Sequence, residues 1–392
     1  MKICMLVSRV PWPLEKGDKL RAYHQMRFLA KHHELHLLCL SDAGVDPVAI
    51  EHLKTITPHV EVFRLNRLRM LLRMFFALFS SKPFQVHYFY DRWVARDIHK
   101  TIERMQPDVI YCQLIRCSEY VKGLHHLKKT IDYMDSLSAG QQRRAVRAPW
   151  YMRPFVIEEA RRLKAYEHLI FDYFDHHTII SEQDQKLIYH HLNHQIHVVP
   201  NGIDAEFFRS ERREQVDFDL LFTGNMSYPP NVECAQRIVG DILPLVQKKI
   251  PGVRLLLAGA NPTPSVQSLA SESVIVSGWM SDIRTAYSNS RVFLAPMISG
   301  SGMQNKLLEA MSMRLPCVTT QLAAMPIGAV HQVNSLIATS DEELAACVLD
   351  LLSHTEKARE IGEAGRAHVK RIFDWSSTVC LLEDACFKSE IS

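Results

Sequence analysis

The sequence predicts an α/β protein made of two doubly wound parallel sheets in tandem. Three observations carry this. Short apolar runs rich in Val, Ile and Leu recur at helix-length intervals along the whole chain. The series breaks once, at a turn and a charged stretch, and then restarts. At 392 residues, 47% of them apolar, the chain is long enough for two separate cores.

The first series opens with "KICMLVS" (2–8), followed by an amphipathic helical run from Asp18 to His32. "ELHLLCLS" (34–41), "VEVFRL" (60–65), "DVIYCQL" (108–114), "KTIDYMD" (129–135), "HHTIIS" (176–181) and "IHVVPNG" (196–202) read as further buried strands. "PNGID" (200–204) is a turn signal, and "RSERREQVD" (209–217) reads as a charged linker. The second series is "DLLFTGN" (219–225), "VRLLLAGA" (253–260), "VIVSG" (274–278), "RVFLAP" (291–296) and "PCVTT" (316–320). The boundaries that follow are a first Rossmann-like domain over 1–205, a second over 206–373, and a terminal helix over 374–392. Ligands of such sheets bind at the carboxyl ends of strands, so two facing domains would enclose a cleft.

Composition narrows the function classes. The longest uninterrupted apolar run, "MFFALF" (74–79), is too short to span a bilayer. The N-terminus lacks a signal-peptide cleavage pattern and reads as a first strand. Nine scattered cysteines without a C-x-x-C pair favour reduced thiols in the cytoplasm over disulfides or a zinc site. Residues 1–200 carry 29 Lys and Arg against 21 Asp and Glu, and 17 of the 20 histidines. That basic half suits an anionic surface or a phosphorylated acceptor; an ordinary solvated face is the alternative. Nothing in the sequence points to nucleic acid. No G-x-G-x-x-G follows either first strand, which disfavours a dinucleotide-dependent dehydrogenase.

The stretch "SGSGMQNKLLEAM" (299–311) places two glycines before a helical segment. Unpaired N–H groups at a helix start attract an anion, and Gly300 and Gly302 permit close backbone approach. Asn305 and Glu309 lie one turn apart with Lys306 beside them, a set suited to a diphosphate next to a hydroxyl-rich ribose. Alone, such a stretch is more often an ordinary Gly-Ser turn. Its context adds three further loops after second-half strands: "GNMSYPPN" (224–231), "GAN" (259–261) and "GWMSD" (278–282). Gly224, Asn225, Gly259, Trp279 and Met280 would thus converge with the cradle on one nucleotide.

"PNGID", "GWMSDIRTAYSNSRVFLAP" and "SGSGMQNKLLEAMSMRLPCVTT" together resemble the second domain of family 4 retaining glycosyltransferases of GT-B fold. "RVPWPLEKGDKLRAYHQMRFLAKHHELHLL" resembles the opening of a bacterial subgroup that builds exopolysaccharide or capsule, marked by "GDK-x-R" and "QNK-x-LEAM". The resemblance implies that Glu309 binds the donor's ribose hydroxyls. It implies that backbone around Ser301, Gly302, Met303 and Gln304 holds the diphosphate and sugar, with Trp279 and Met280 at the base. Gly17, in the loop holding Lys16 and Asp18, would lie near the reacting phosphate.

Three departures stand out. Ser301 occupies the position of the family's first glutamate. Asn225 and Asn231 replace an Arg-Lys pair, and Gln113 replaces a histidine. Lys306, with Asn305 and Arg116, would then compensate; a degenerate, non-catalytic relative is the alternative. Retaining transfer needs stabilised leaving diphosphate, and Lys306 with the helix start fits that role. No cofactor is implied beyond the nucleotide-sugar substrate, and no metal. "DFD" (217–219) precedes its strand, at the wrong sheet end for a metal, and the His-rich patches lack ligand geometry. Asp135 reads either as a group for an acceptor hydroxyl or as a helix N-cap.

The partners expected are a nucleotide sugar and a glycan or lipid-linked acceptor. "RLNRLRMLLRMFFALFSSKPF" (64–84) has two readings, a helix docked on the first sheet or one lying on the inner face of an anionic membrane. A sugar-nucleotide epimerase of the same fold, or a donor-binding partner subunit, are the competing functions.

Overall fold

The computed structural model describes residues 1–14, 16–204, 207–208, 216–299 and 303–387, with Arg147 by its backbone alone. The chain forms two compact units. One is Met1–Gly202 with Trp375–Ser392, and the other is Ile203–Asp374.

The first unit holds a seven-stranded parallel sheet: β1 (Lys2–Val7), β2 (Glu34–Ser41), β3 (His59–Arg64), β4 (Val109–Gln113), β5 (Lys128–Asp132), β6 (His176–Ile179) and β7 (His197–Val198). Its order is β3-β2-β1-β4-β5-β6-β7. The unbroken apolar runs follow from burial on both faces. Along β1, Cys4 and Leu6 enter one core while Ile3, Met5 and Val7 enter the other.

The second unit repeats the plan with β8 (Phe218–Thr223), β9 (Leu255–Ala258), β10 (Val274–Gly278), β11 (Ser290–Ala295), β12 (Cys317–Thr319) and β13 (Leu336–Ile337). The order β10-β9-β8-β11-β12-β13 reverses beside β8, which creates a crevice where β8 and β11 diverge. The strand β13 has only two residues and gives no periodic signal to read.

The helix Gly17–Leu29 carries a fully buried arginine–aspartate pair of the first core. Arg21 is fully buried. It donates to both carboxylate oxygens of Asp132, at 2.7 and 3.2 Å, and to Asn201 Oδ1 at 3.0 Å. Tyr111 and Thr178 donate to the same carboxylate. The Arg of the "GDK-x-R" mark is therefore a structural tie between β5 and the Pro200–Asn201 turn. Next in the chain, Gly202 leaves room for Trp375, whose ring a Cβ there would meet at 2.5 Å.

Glu167, in the helix Arg153–Phe171, is fully buried and accepts from the backbone N–H and hydroxyl of Ser138. Burial, with Asp135 adding to it, pushes its carboxyl up to about 7, and the Ser138 bonds only partly offset this. A raised folded-state value favours folding at low pH. That contribution is lost as pH climbs from the usual carboxylate range through about 7. Glu167→Gln should remove a penalty of about 3 kcal/mol at pH 8. Urea midpoints measured from pH 5 to 8 should fall less steeply in this variant than in the parent. Parallel profiles would show that Glu167 is ionised at no cost.

Candidate functional site

The loops after β8, β9, β10 and β11 line one cavity of about 490 Å³ in the second unit. Gly224, Asn225, Gly259, Trp279, Met280, Met303, Gln304, Asn305, Lys306 and Glu309 all line it. Gly300, Ser301 and Gly302 lie outside the described residues. At the back of the cavity the loops are pressed together. Gly259 has φ +142°, and a Cβ there would lie 1.9 Å from the carbonyl oxygen of Gly224. Only glycine allows that approach.

The helix Asn305–Ser312 begins in the cavity wall, and its N-cap, Gln304, makes no side-chain cap hydrogen bond. The positive end of the helix, where N–H groups have no intrahelical partner one turn back, therefore faces the cavity. Lys306 is the one lysine or arginine among the described lining residues. Its ammonium donates to Asn231, lies 3.8 Å from the Met297 sulfur and sits 5.1 Å over the Phe222 ring. Burial lowers its pKa, against weaker raising effects from Cys234 and Glu309. Asn231 in turn donates to the carbonyl of Asn225 at 2.9 Å. The asparagines that stand where an Arg-Lys pair was anticipated thus form a relay that holds the lysine.

Glu309 is oriented by a group that sequence reasoning did not single out. The Tyr287 hydroxyl donates to it at 2.7 Å and meets Thr223 Oγ1 at 2.8 Å. Burial raises the Glu309 carboxyl above its ordinary value, while Tyr287 and Lys306 pull it down. Tyr287 and Glu309 are 22 residues apart, so no local spacing announces the pair. Trp279 stands exposed at the rim, and Tyr228 and Ile283 complete the wall.

The residues assigned to the acceptor or phosphate side belong to the first unit. Gly17 starts a helix, Lys16 precedes it, and both are exposed. Asp18 pairs with Arg9, and its carbonyl accepts from Gln113 at 3.1 Å. Gln113 therefore serves to hold the first turn of the helix Gly17–Leu29. Arg116 packs 5.1 Å over Phe89, and its pKa is lowered first by burial and then by Arg9. Asp135 has an exposed surface, yet the surrounding protein mass and Asp184 push its carboxyl up to about 6. The cap of the following helix is Ser136, which accepts from the N–H of Ala139 at 3.4 Å. The N-cap reading of Asp135 is thereby corrected.

Asp219 of "DFD" accepts from the N–H of Arg254 and from Arg291, and Asp217 accepts from Asn289. These bonds anchor the amino end of β8, away from the cavity. Among the described residues, Glu34, His36 and His59 bring possible ligand atoms within 4.8 Å of one another. The two imidazoles stack in parallel at 4.0 Å and 9°, so their lone pairs do not converge.

Residues 217–354, wholly within the second unit, match the family of glycosyl transferases group 1. The second unit carries a group 1 glycosyl transferase domain, and the fold is GT-B. An uncharacterized 44.6 kDa protein in the cps region of Klebsiella pneumoniae is 22% identical, over 95% of this chain and 96% of its own. A glycosyltransferase from Rickettsia africae has a TM-score of 0.69 at 14% identity, covering 99% of each chain. HepE of Anabaena, solved with UDP, has a TM-score of 0.68 at 15% identity over 98% of this chain and 99% of that one. HepE is also solved with UDP-glucose.

Proposed function

We propose that this protein transfers a sugar from a nucleoside-diphosphate sugar to a glycan or lipid-linked acceptor, with retention of configuration, in bacterial surface-polysaccharide assembly. The observation that carries the proposal is the convergence of Lys306, the start of the helix Asn305–Ser312 and Glu309 in one cavity of a group 1 domain. The UDP and UDP-glucose complexes of HepE support the donor class, and the cps-region relative supports the pathway class.

The roles follow from the chemistry at each position. The N–H groups at the helix start and the Lys306 ammonium meet the diphosphate, whose charge grows as the sugar–phosphate bond breaks. Glu309, fixed by Tyr287, accepts from the ribose hydroxyls. Backbone near Trp279 and Met280 holds the base. Glu309 is the one carboxylate among the described lining residues, and it is engaged by Tyr287. Retention then proceeds without a protein nucleophile, the departing phosphate accepting the acceptor's proton on the same face. Lys306 supplies the positive charge in place of a metal.

Incubation with a panel of nucleotide sugars and acceptor glycans tests this directly. Transfer should release a nucleoside diphosphate and leave a product with the donor's anomeric configuration, with or without chelator. Isomerised nucleotide sugar without diphosphate release would instead identify an epimerase. Nucleotide binding with no turnover under any acceptor condition would identify a donor-binding subunit. A matching nucleotide at ~100 times its dissociation constant should add ~2.7 kcal/mol of stability.

Glu309→Gln should weaken donor binding by about tenfold, because the amide keeps a hydrogen bond but loses charge assistance. Tyr287→Phe should weaken it by less, since the carboxylate remains but is no longer held. Calorimetric affinities identical to the parent in Glu309→Gln would take this residue out of the ribose site.

A further inference from the structure

We propose that the first unit docks on an anionic lipid bilayer through an apolar surface centred on the helix Arg67–Ala77. This inference is independent of the donor chemistry. A helix in a globular protein normally turns its apolar stripe inward. Here the arrangement is reversed. Arg69, Arg73 and Ala77, spaced four residues apart, lie on the side of the helix that meets the buried Asp91, and Ala77 is itself buried. Arg73 lies 2.7 Å from one Asp91 oxygen and Arg69 3.4 Å from the other. Asp91 also caps the next helix by accepting from the N–H of Trp93. With its polar side so engaged, the helix presents Leu68, Leu72, Phe75 and Phe76 to solvent, and Phe79 just beyond it is 81% exposed.

A second exposed apolar stretch is tied to the first. Arg162 donates to the carbonyls of Ala77 at 2.6 Å and Lys82 at 3.3 Å, and Glu159 accepts from the N–H groups of Phe84 and Gln85. Phe155 lies on the same stripe of that helix, one turn before Glu159, and is itself exposed. Trp150, 85% exposed, and Tyr151 precede it. Two stretches of this kind exceed the scattered single apolar residues of an ordinary surface.

Charge selects the partner. Residues 64–84 and 143–157 contain no Asp or Glu. Arg64, Arg67, Arg143, Arg144 and Arg153 are exposed around the apolar groups. Aromatic and leucine side chains rimmed by arginine fit the acyl boundary of an anionic membrane, each group meeting its complement. The helix has 11 residues, and no helix of the described chain is long and apolar enough to cross a membrane. It would lie on the surface.

The reversed orientation changes what drives binding. Arg69 and Arg73 are committed to Asp91, so insertion of the aromatic groups provides the salt-resistant part and the rim arginines the salt-sensitive part. The test is flotation of the full chain with phosphatidylglycerol-containing vesicles and with pure phosphatidylcholine vesicles. The parent should float with the anionic vesicles and be partly released by salt. The triple variant Phe75→Ser, Phe76→Ser, Phe79→Ser should lose binding by about tenfold or more with an unchanged melting temperature. Trp150→Ser should lose part of it. Arg67→Gln with Arg144→Gln should lower binding at low salt only. Absence of parent binding to anionic vesicles at low ionic strength would overturn the proposal. So would equal flotation of the triple variant, or a concentration-dependent dimer that the triple variant abolishes while vesicle binding is nil.

Discussion

Lys306→Ala is expected to lower turnover by ~100-fold or more, with a smaller loss of nucleotide-sugar affinity. The asymmetry follows from where charge appears. The donor diphosphate already carries charge in the ground state, but the leaving group gains more as the glycosidic bond breaks, so a fixed ammonium gains most in the transition state. Lys306 is pre-placed for this by Asn231 and by the face of Phe222. It has no lysine or arginine neighbour among the described lining residues to take over. Lys306→Arg should recover only part of the rate, because the planar guanidinium differs from the ammonium in reach and shape. The lowered pKa adds a second readout. Activity should decline on the alkaline side earlier than an exposed lysine would dictate, and that limb should disappear in Lys306→Ala. An alanine variant that transfers sugar at the parent rate would refute the role. The diphosphate would then be held by the backbone N–H groups at the helix start, and Arg116 and Lys16 would be the next cations to test.

Much of the donor cavity is legible in the sequence because it is made of strand ends. A buried parallel strand announces itself as a short apolar run, and a glycine directly after it marks where backbone must approach backbone or ligand. Gly224 after β8 and Gly259 after β9 are such marks, and so is the segment leading into Asn305. Side-chain partnerships across the fold leave no comparable trace. Tyr287 and Glu309 are joined only once the helix Arg284–Ser288 before β11 and the helix Asn305–Ser312 after it are packed. The helix Arg67–Ala77 shows the same limit. Its arginines read as lipid-facing when taken as a local pattern, but Asp91 turns Arg69 and Arg73 inward and so turns the leucines and phenylalanines outward. Inversion of a helix by one buried carboxylate is a tertiary event, and periodicity alone carries no sign of which face is in.

Arg21 gives the largest expected effect on stability. As part of "GDK-x-R" it stands close in sequence to the residues assigned to the reacting phosphate, which invites a substrate-binding role. The geometry points elsewhere: its guanidinium is fully buried, and Asp132 and Asn201 take its donors. Arg21→Met should therefore destabilise the first unit by ~3–5 kcal/mol, because Asp132 is left as a buried charge without its cation. Tyr111 and Thr178 still donate to that carboxylate, but two neutral hydroxyls do not replace a bidentate guanidinium. Arg21→Lys should be nearly as damaging, since an ammonium cannot reach Asp132 and Asn201 in the same fork. Combining Arg21→Met with Asp132→Leu should restore much of the loss, because removing both charges removes the unpaired one. Denaturant unfolding of the four proteins, with donor affinity measured in parallel below the transition, separates the two roles. A structural tie moves the midpoint and leaves the affinity of the folded fraction unchanged. An Arg21→Met protein with the parent's midpoint and weakened donor or acceptor binding would place Arg21 at the substrate instead.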